Sequence, residues 1–428
     1  MSIISKLITS AFVVFLTFLI YLPGAASERT IIHSYQDTSY VGLAGIVKDA
    51  ESKNPIVFAH IILTGTNLGT VSNSDGRFLL KIPPDKMDGQ ITVSSLGYKN
   101  LTISISELQR IKNEIQLELL RFEIKEIIVR NFTAIDLLRE AKQNIPKNYG
   151  ETPAMFTAFY RETIKQNRNY VALSEAVFDV FKASYSIYAE DDRIKVFKGR
   201  KSQDVTRMDT VLFKLQGGPY NLFILDIAKH FDEIFPDDAL NYYTFTYDEQ
   251  ASIQDRDAYV IIFRQKPDVQ LSLYEGKIYI DAETFAISSL EFNLSPVGLE
   301  YAPSTMILKK PLGMRIDIPG AEYRVNYRYS NGRWFLSYAR SEAWFRCKWN
   351  RKLFRSNYVT MSEMAVTDID LSNIVKFRIR ESSRPGDIFS DVVSDFEDPQ
   401  FWGDYNIIRP EISIEEATRK LNKKLQRK

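Results

Sequence analysis

The sequence predicts a mainly β protein with a few helices, an α+β chain in which an N-terminal β-sandwich precedes a larger curved antiparallel sheet domain with packed helices. Three observations predict it. Between Gly45 and Tyr98, short strand-like runs are punctuated by small residues in a distinctive pattern. Further along, Tyr323, Val325, Tyr327 and Tyr329 alternate with Arg324, Asn326 and Arg328, the period-two signature of a sheet with one wet face. The chain of 428 residues also carries 23 tyrosines and 27 phenylalanines, and aromatic side chains favour pleated, half-buried surfaces.

In chain order, residues 1–26 read as a signal peptide. Lys6 gives a thin positive region, Leu7 to Leu22 is nearly all apolar, and Pro23-Gly24-Ala25-Ala26 suits cleavage after Ala26. The apolar run falls short of the ~20 residues that usually span a bilayer, which favours a cleaved leader over a retained anchor. No cysteine follows the leader for lipid attachment. The single cysteine, Cys347, leaves no intramolecular disulfide, so an exported chain must rely on its core.

Residues 41–130 form the expected sandwich. Asp75-Gly76 is a hairpin signal in which both central residues are expected at positive φ, flanked by Val71 on one side and Phe78 and Leu80 on the other. Gly65 and Gly69 bracket a tight loop, and Leu96-Gly97-Tyr98 ends a strand with an aromatic that can plug the sandwich. Together with Gly45, Val47, Asp49, Pro55, Ala59, Thr66 and Thr70, these residues resemble the carboxypeptidase regulatory-like domain, a transthyretin-like sandwich. The form is similar to the one that precedes the plug in outer-membrane receptors of the Bacteroidota. Glu123 to Val129 is similar to that family's closing strand.

The family's name suggests a zinc peptidase, and the residues argue against one. Such enzymes hold zinc with a His-x-x-Glu pair and a distant downstream histidine, because a catalytic zinc takes three protein ligands and keeps one position for water. His230-Phe231-Asp232-Glu233 spells the pair, yet the other histidines, His33 and His60, both precede it. The simpler reading of His230 is a partly exposed helix residue. No metal, cofactor or catalytic residue is assigned.

Residues 131–148 read as a linking helix, capped by Thr133 with Asp136 and stopped by Pro146. Ile135, Leu138, Ala141 and Ile145 lie near one side. Residues 149–372 then form an antiparallel β-rich domain. Ser330-Asn331-Gly332 turns one strand into the return through Trp334, Leu336 and Tyr338. An earlier hairpin is expected around Glu275-Gly276, followed by a turn at Asp281-Ala282-Glu283-Thr284. Asn221 to Phe235 reads as a helix ended by Pro236. The turn at Tyr279 to Thr284 resembles one in half-barrel periplasmic lipoprotein carriers, which implies an acyl-binding concavity; an aromatic face packed on helices explains the same letters. A membrane barrel is disfavoured, because Arg324, Arg328 and Arg340 on outward faces would be costly in lipid.

Residues 373–428 are a tail. Phe401 and Trp402 are expected to anchor it on the β domain, and Ser413 with Glu416 reads as a capping box for a last helix through Ile414, Ala417, Leu421 and Leu425. The basic run Arg346 to Arg355 fits the solvated face of a strand pair. With 55 basic and 54 acidic residues the chain has no global field to attract nucleic acid. Gly-x-Ser-x-Gly, phosphate-loop and dinucleotide motifs are missing from the sequence. The pairs Asp191–Asp192 and Asp255–Asp257 fit turn caps better than an acid–base site.

These readings converge on a non-enzymatic cell-envelope protein, periplasmic or outer-membrane-associated, in which the sandwich mediates assembly and the β-rich domain binds an envelope protein or an apolar ligand. The alternative is an envelope hydrolase whose carboxylate site the sequence does not reveal.

Overall fold

The computed structural model describes residues 40–120, 133–187, 190–203, 218–248, 251–307, 312–350, 355–395 and 402–425. The leader, the expected closing strand at Glu123–Val129 and Phe401 lie outside these residues. Residues 39–428 form one compact unit.

The first strands are β1 (Val41–Asp49), β2 (His60–Leu63), β3 (Gly69–Val71), β4 (Arg77–Ile82), β5 (Gln90–Ser94), β6 (Leu101–Ser104) and β7 (Asn113–Leu117). They make two facing sheets, ordered β4-β1-β7 and β3-β2-β5-β6. Alternate residues point between them, so Leu43, Val47, Ile61, Leu63, Phe78, Leu80, Ile82, Ile91, Val93 and Ile115 fill one core. Asp75-Gly76 differs from the expected hairpin. The Gly76 N–H donates to the Asn73 carbonyl at 2.9 Å, and of the pair only Gly76 has positive φ, at 73°. This is a turn closed by a left-handed glycine, and it carries the chain from one sheet to the other. A Cβ on Gly76 would lie 2.7 Å from the Val47 carbonyl oxygen, which excludes other residues there.

Helices α1 (Ala134–Gln143) and α2 (Ile145–Tyr149) come next. The capping box forms as the sequence indicates. Thr133 Oγ1 accepts the Asp136 N–H at 3.3 Å, and Asp136 Oδ2 accepts the Thr133 N–H at 3.2 Å. Pro146 does not stop this helix, which already ends at Gln143. It lies in the first turn of α2, where its missing N–H costs nothing.

The remaining elements are β8 (Ala154–Gln166), β9 (Asn169–Lys182), β10 (Arg193–Gln203), α3 (Pro219–Ile224), α4 (Phe231–Ile234), β11 (Tyr243–Tyr247), β12 (Ala251–Ile253), β13 (Arg256–Gln265), β14 (Tyr274–Asp281), β15 (Ile287–Leu294), α5 (Pro296–Met306), β16 (Met314–Ser330), β17 (Arg333–Trp349), β18 (Ser356–Asp370), α6 (Phe389–Val392), β19 (Ser394–Asp395) and α7 (Ile412–Leu425). The strands build one twelve-stranded sheet, β11-β13-β14-β15-β16-β17-β18-β8-β9-β10-β19, with β12 paired to β13. Every pairing is antiparallel except β10 with β19.

Three local expectations are corrected. Glu275 and Gly276 lie inside β14 rather than at a turn. Gly276 is small because a Cβ would sit 2.2 Å from the Glu291 carbonyl oxygen of β15. The single helix expected over 221–235 is two short ones, with Asp226 buried in the turn between them and tied to the sheet. Ser413 is already inside α7. The helix starts at Ile412, whose N–H donates to Asp75 Oδ2 of the sandwich at 2.8 Å. The Ser330–Arg333 hairpin stands as expected, with Asn331 and Gly332 both at positive φ.

The two faces of the large sheet are packed differently. One face holds α1 to α4 over Phe156, Tyr160, Phe178, Phe263, Ile278, Leu290, Val325, Tyr327, Leu336 and Met364. Each such side chain contributes roughly 1.5–3 kcal/mol on burial. The opposite face, expected to be wet, is covered over much of its width by the sandwich and the tail. There Val71, Phe159, Val177, Tyr338, Ala365, Trp402, Ile407 and Ile408 form a separate cluster.

Candidate functional site

Arg161 and Glu175 stand out because each is a charged side chain, next to an apolar run of its strand, that is fully buried. The strand register explains how a charge survives there. Lys277, Glu291, Arg324, Arg340, Glu363, Arg161, Glu175 and Arg200 lie directly opposite one another in turn. They form a single row from β14 to β10 on the face opposite the helices.

The row is closed by ion pairs. Arg161 Nε meets Glu175 Oε1 at 2.7 Å, and its Nη1 meets Glu363 Oε1 at 2.9 Å. Arg200 Nη2 meets Glu175 Oε2 at 2.8 Å. Arg340 Nη1 reaches Glu363 Oε2 at 3.3 Å, and Arg324 Nη2 meets Glu291 Oε1 at 2.9 Å. Burial alone would disfavour the charged form of Glu175, yet Arg161 and Arg200 together hold its carboxyl below the ordinary carboxylate range. Breaking a buried pair of this kind is costly, because the remaining charge is left uncompensated away from water.

Other parts of the chain complete the row. Arg161 Nη2 donates to the Ile408 carbonyl of the tail at 2.7 Å, and the Arg200 guanidinium lies 4.7 Å from the Trp402 ring centroid. Trp402 thus anchors the tail as the sequence indicates. Arg324 and Arg340 are like charges directly opposite each other, an arrangement that costs energy on a sheet. Phe58 of the sandwich relieves it, its ring centroid 5.3 Å from each guanidinium. Phe58 has φ of 58°, a strained conformation for a bulky residue, held here by its fit between the two arginines.

Arg328 was expected on a wet face and is buried under the sandwich, where its Nη2 donates to the Asn67 carbonyl at 2.8 Å. Desolvation lowers the Arg328 pKa to about 10. Desolvation, with Arg328 nearby, also lowers His60 to about 4. Thr70 Oγ1 donates to the Ile407 carbonyl at 3.0 Å, so sandwich, sheet and tail are bonded to one another.

Beside Phe58 the covering stops and a cleft of ≈ 460 Å³ opens over the β13–β17 end of the row. Arg264, Lys277, Arg324 and Arg340 alternate with Glu275, Glu291, Glu322 and Glu342 on its floor, four cations among four anions. Glu322 and Glu342 are directly opposite on β16 and β17. Arg340 Nη2 meets Glu342 Oε2 at 2.7 Å.

On the helix face, Lys182 Nζ meets Asp192 Oδ2 at 2.6 Å and Asp226 Oδ2 at 2.7 Å, while Tyr185 and Tyr327 each donate to Asp226 at 2.7 Å. Desolvation works against the Asp226 charge, but Lys182 and these hydroxyls hold its carboxyl below the usual range. This sealed cluster fastens the turn between α3 and α4 to the sheet. It also absorbs Asp192, which the sequence read as a turn residue. Asp255 accepts the Asn100 N–H at 2.9 Å and so joins sheet domain to sandwich. His230 Nδ1 lies 2.9 Å from Glu233 on the short α4. Among the described residues no cluster of three or more His, Cys, Asp or Glu side chains could hold a metal. Cys347 is buried, which pushes its thiol up to about 11. No helix among the described residues is long and apolar enough to cross a membrane.

Residues 43–129 match the family model of the CarboxypepD_reg-like domain, which bears out the resemblance carried by Gly45 to Tyr98. No curated protein matches the chain. Among solved structures it is similar to a LolA superfamily protein from Nitrosomonas europaea, with 15% identity over 57% of this chain and 98% of that one, at a TM-score of 0.21. MucB in complex with MucA(peri) gives 10% identity over 59% and 99%, at 0.18. A DUF1329 family protein from Desulfovibrio piger gives 9% over 57% and 95%, at 0.23. Each superposition is slight.

Proposed function

We propose that this chain is a non-enzymatic binding or assembly protein of the cell envelope, exported by its N-terminal leader, periplasmic or outer-membrane-associated, and that it takes a protein partner in the cleft beside Phe58. The observation that carries this reading is the cleft's lining. Four cations and four anions on the rigid floor of a sheet suit a polypeptide, whose own mixed charges they complement. An acyl chain is the poorer occupant, because charged side chains are spread over the cleft floor and the helix face is filled by its own aromatic and aliphatic side chains.

A photo-crosslinker at Glu322, compared with one at Lys53 on the sandwich surface, tests the reading in envelope fractions of producing cells. The expected result is one discrete protein adduct from position 322 and none from position 53. Stoichiometric recovery of lipid from the purified chain, without an adduct, would instead support an apolar-ligand carrier. Turnover of an envelope substrate that is lost in Glu322→Gln would support a hydrolase.

A further inference from the structure

After β18 the chain runs from Leu371 to Arg380 mostly without regular structure, and within it only Phe377 is not exposed. Four large aliphatic side chains face solvent there: Leu371 at 43%, Ile374 at 37%, Val375 at 57% and Ile379 at 66%. Lys376, Arg378 and Arg380 alternate with them, and Arg378 and Arg380 have no ion pair among the described residues. The segment is nevertheless held against the sheet. Lys195 lies 5.5 Å from the Phe377 ring centroid, Lys376 lies 5.3 Å from that of Phe181 and pairs with Glu190, and the Ser383 N–H donates to the Ile194 carbonyl at 2.8 Å.

Phe377 therefore turns inward as the fastening, and Val375 and Ile379 turn outward already ordered. An apolar group interleaved with cations on a fixed support suits the boundary between lipid head groups and acyl chains: the aliphatic side chains enter the apolar layer, and the long cationic ones reach the phosphates. We infer that the Leu371–Arg380 strap docks this protein on an anionic phospholipid surface, with Ile374, Val375 and Ile379 inserting and Arg378 and Arg380 meeting the head groups. The charge of the strap selects this occupant over a second copy of the chain, whose strap would repel it. The inference does not depend on the cleft.

The test is vesicle co-sedimentation with the chain from residue 27 onward, so that the apolar leader does not bind by itself; the compact unit lies wholly within that piece. Vesicles of phosphatidylcholine alone are compared with vesicles containing phosphatidylglycerol. The expected result is binding to the anionic vesicles only, weakened by salt. It should fall at least roughly tenfold in Val375→Ser/Ile379→Ser and again in Arg378→Gln/Arg380→Gln. Leu312→Ser, which removes a fully exposed leucine elsewhere, should bind like the parent. Unchanged binding by the two strap variants, equal binding to neutral vesicles, or an equal loss in Leu312→Ser would overturn the inference. So would a parent that self-associates through residues 375 and 379 without binding vesicles.

Discussion

The ring of Phe58 stacks on that of Tyr338, centroids 4.9 Å apart and planes 25° from parallel. One residue of the sandwich thereby lies on the large sheet while both the Arg324 and Arg340 guanidiniums sit 5.3 Å from its ring centroid. Phe58→Ala should cost roughly 3 kcal/mol in urea unfolding and lower hydrogen-exchange protection in both β2 and β17. Loss of protection in β2 alone would mean that the contact does not couple the two parts.

Arg161 is the most demanding member of the charged row, since it serves Glu175, Glu363 and the Ile408 carbonyl together. Arg161→Met leaves two buried carboxylates without their shared cation, and a loss of about 3–5 kcal/mol is expected. Replacing Glu175 and Glu363 by glutamine as well should recover part of it, as a three-position unfolding cycle would show.

Two buried groups give opposite pH dependence. His60 is lowered to about 4 from 6.5 by desolvation and by Arg328, so the unfolded chain binds the extra proton between those values. Its contribution is complete above about 6.5 and is lost as pH falls to about 4, on the order of 3 kcal/mol in all. Glu162 is raised to about 7 from 4.5 by desolvation, so the folded chain holds the extra proton, and stability falls as pH rises through that window. Because the two windows overlap, the slopes largely cancel in the parent: His60→Asn should leave stability falling as pH rises from 4.5 to about 7, and Glu162→Gln should leave it rising from about 4 to 6.5. A parent curve without slope between pH 4 and 7 is consistent with cancellation only if both variants tilt it.

Gly276→Ala separates a glycine needed for close approach from one needed for a turn. The added methyl group meets the Glu291 carbonyl and the Phe292 backbone, so a loss of roughly 1–3 kcal/mol is expected, with exchange protection falling in β14 and β15. An alanine tolerated without cost would show that the two strands can move apart.

Local features of the fold were legible wherever one short stretch determines them. Thr133 with Asp136 caps a helix by its own side chains, Asn331-Gly332 makes a turn by its own backbone, and the Gly45–Tyr98 spacing marks the sandwich. The errors arose where a distant segment decides. Glu275-Gly276 has the letters of a hairpin, but its glycine answers to Glu291 on the neighbouring strand. Ser413 and Glu416 have the letters of a capping box, but Asp75 takes the first N–H of that helix from more than three hundred residues away. The charged row did leave a trace, in Arg161 directly after Ala158-Phe159-Tyr160 and Glu175 directly before Ala176-Val177-Phe178. What the sequence could not disclose is that β18 returns to β8 and brings Glu363 opposite Arg161. The polar face of β16 read as wet for the same reason: nothing in its own letters announces the sandwich that covers Arg328.

The Ile408 carbonyl that receives Arg161 also imposes an order in time. Strand β8 emerges early in synthesis, whereas its arginine is satisfied only when the last part of the chain has been made. Until then the sheet carries a row of charges that water must solvate, and its outer layer stays open.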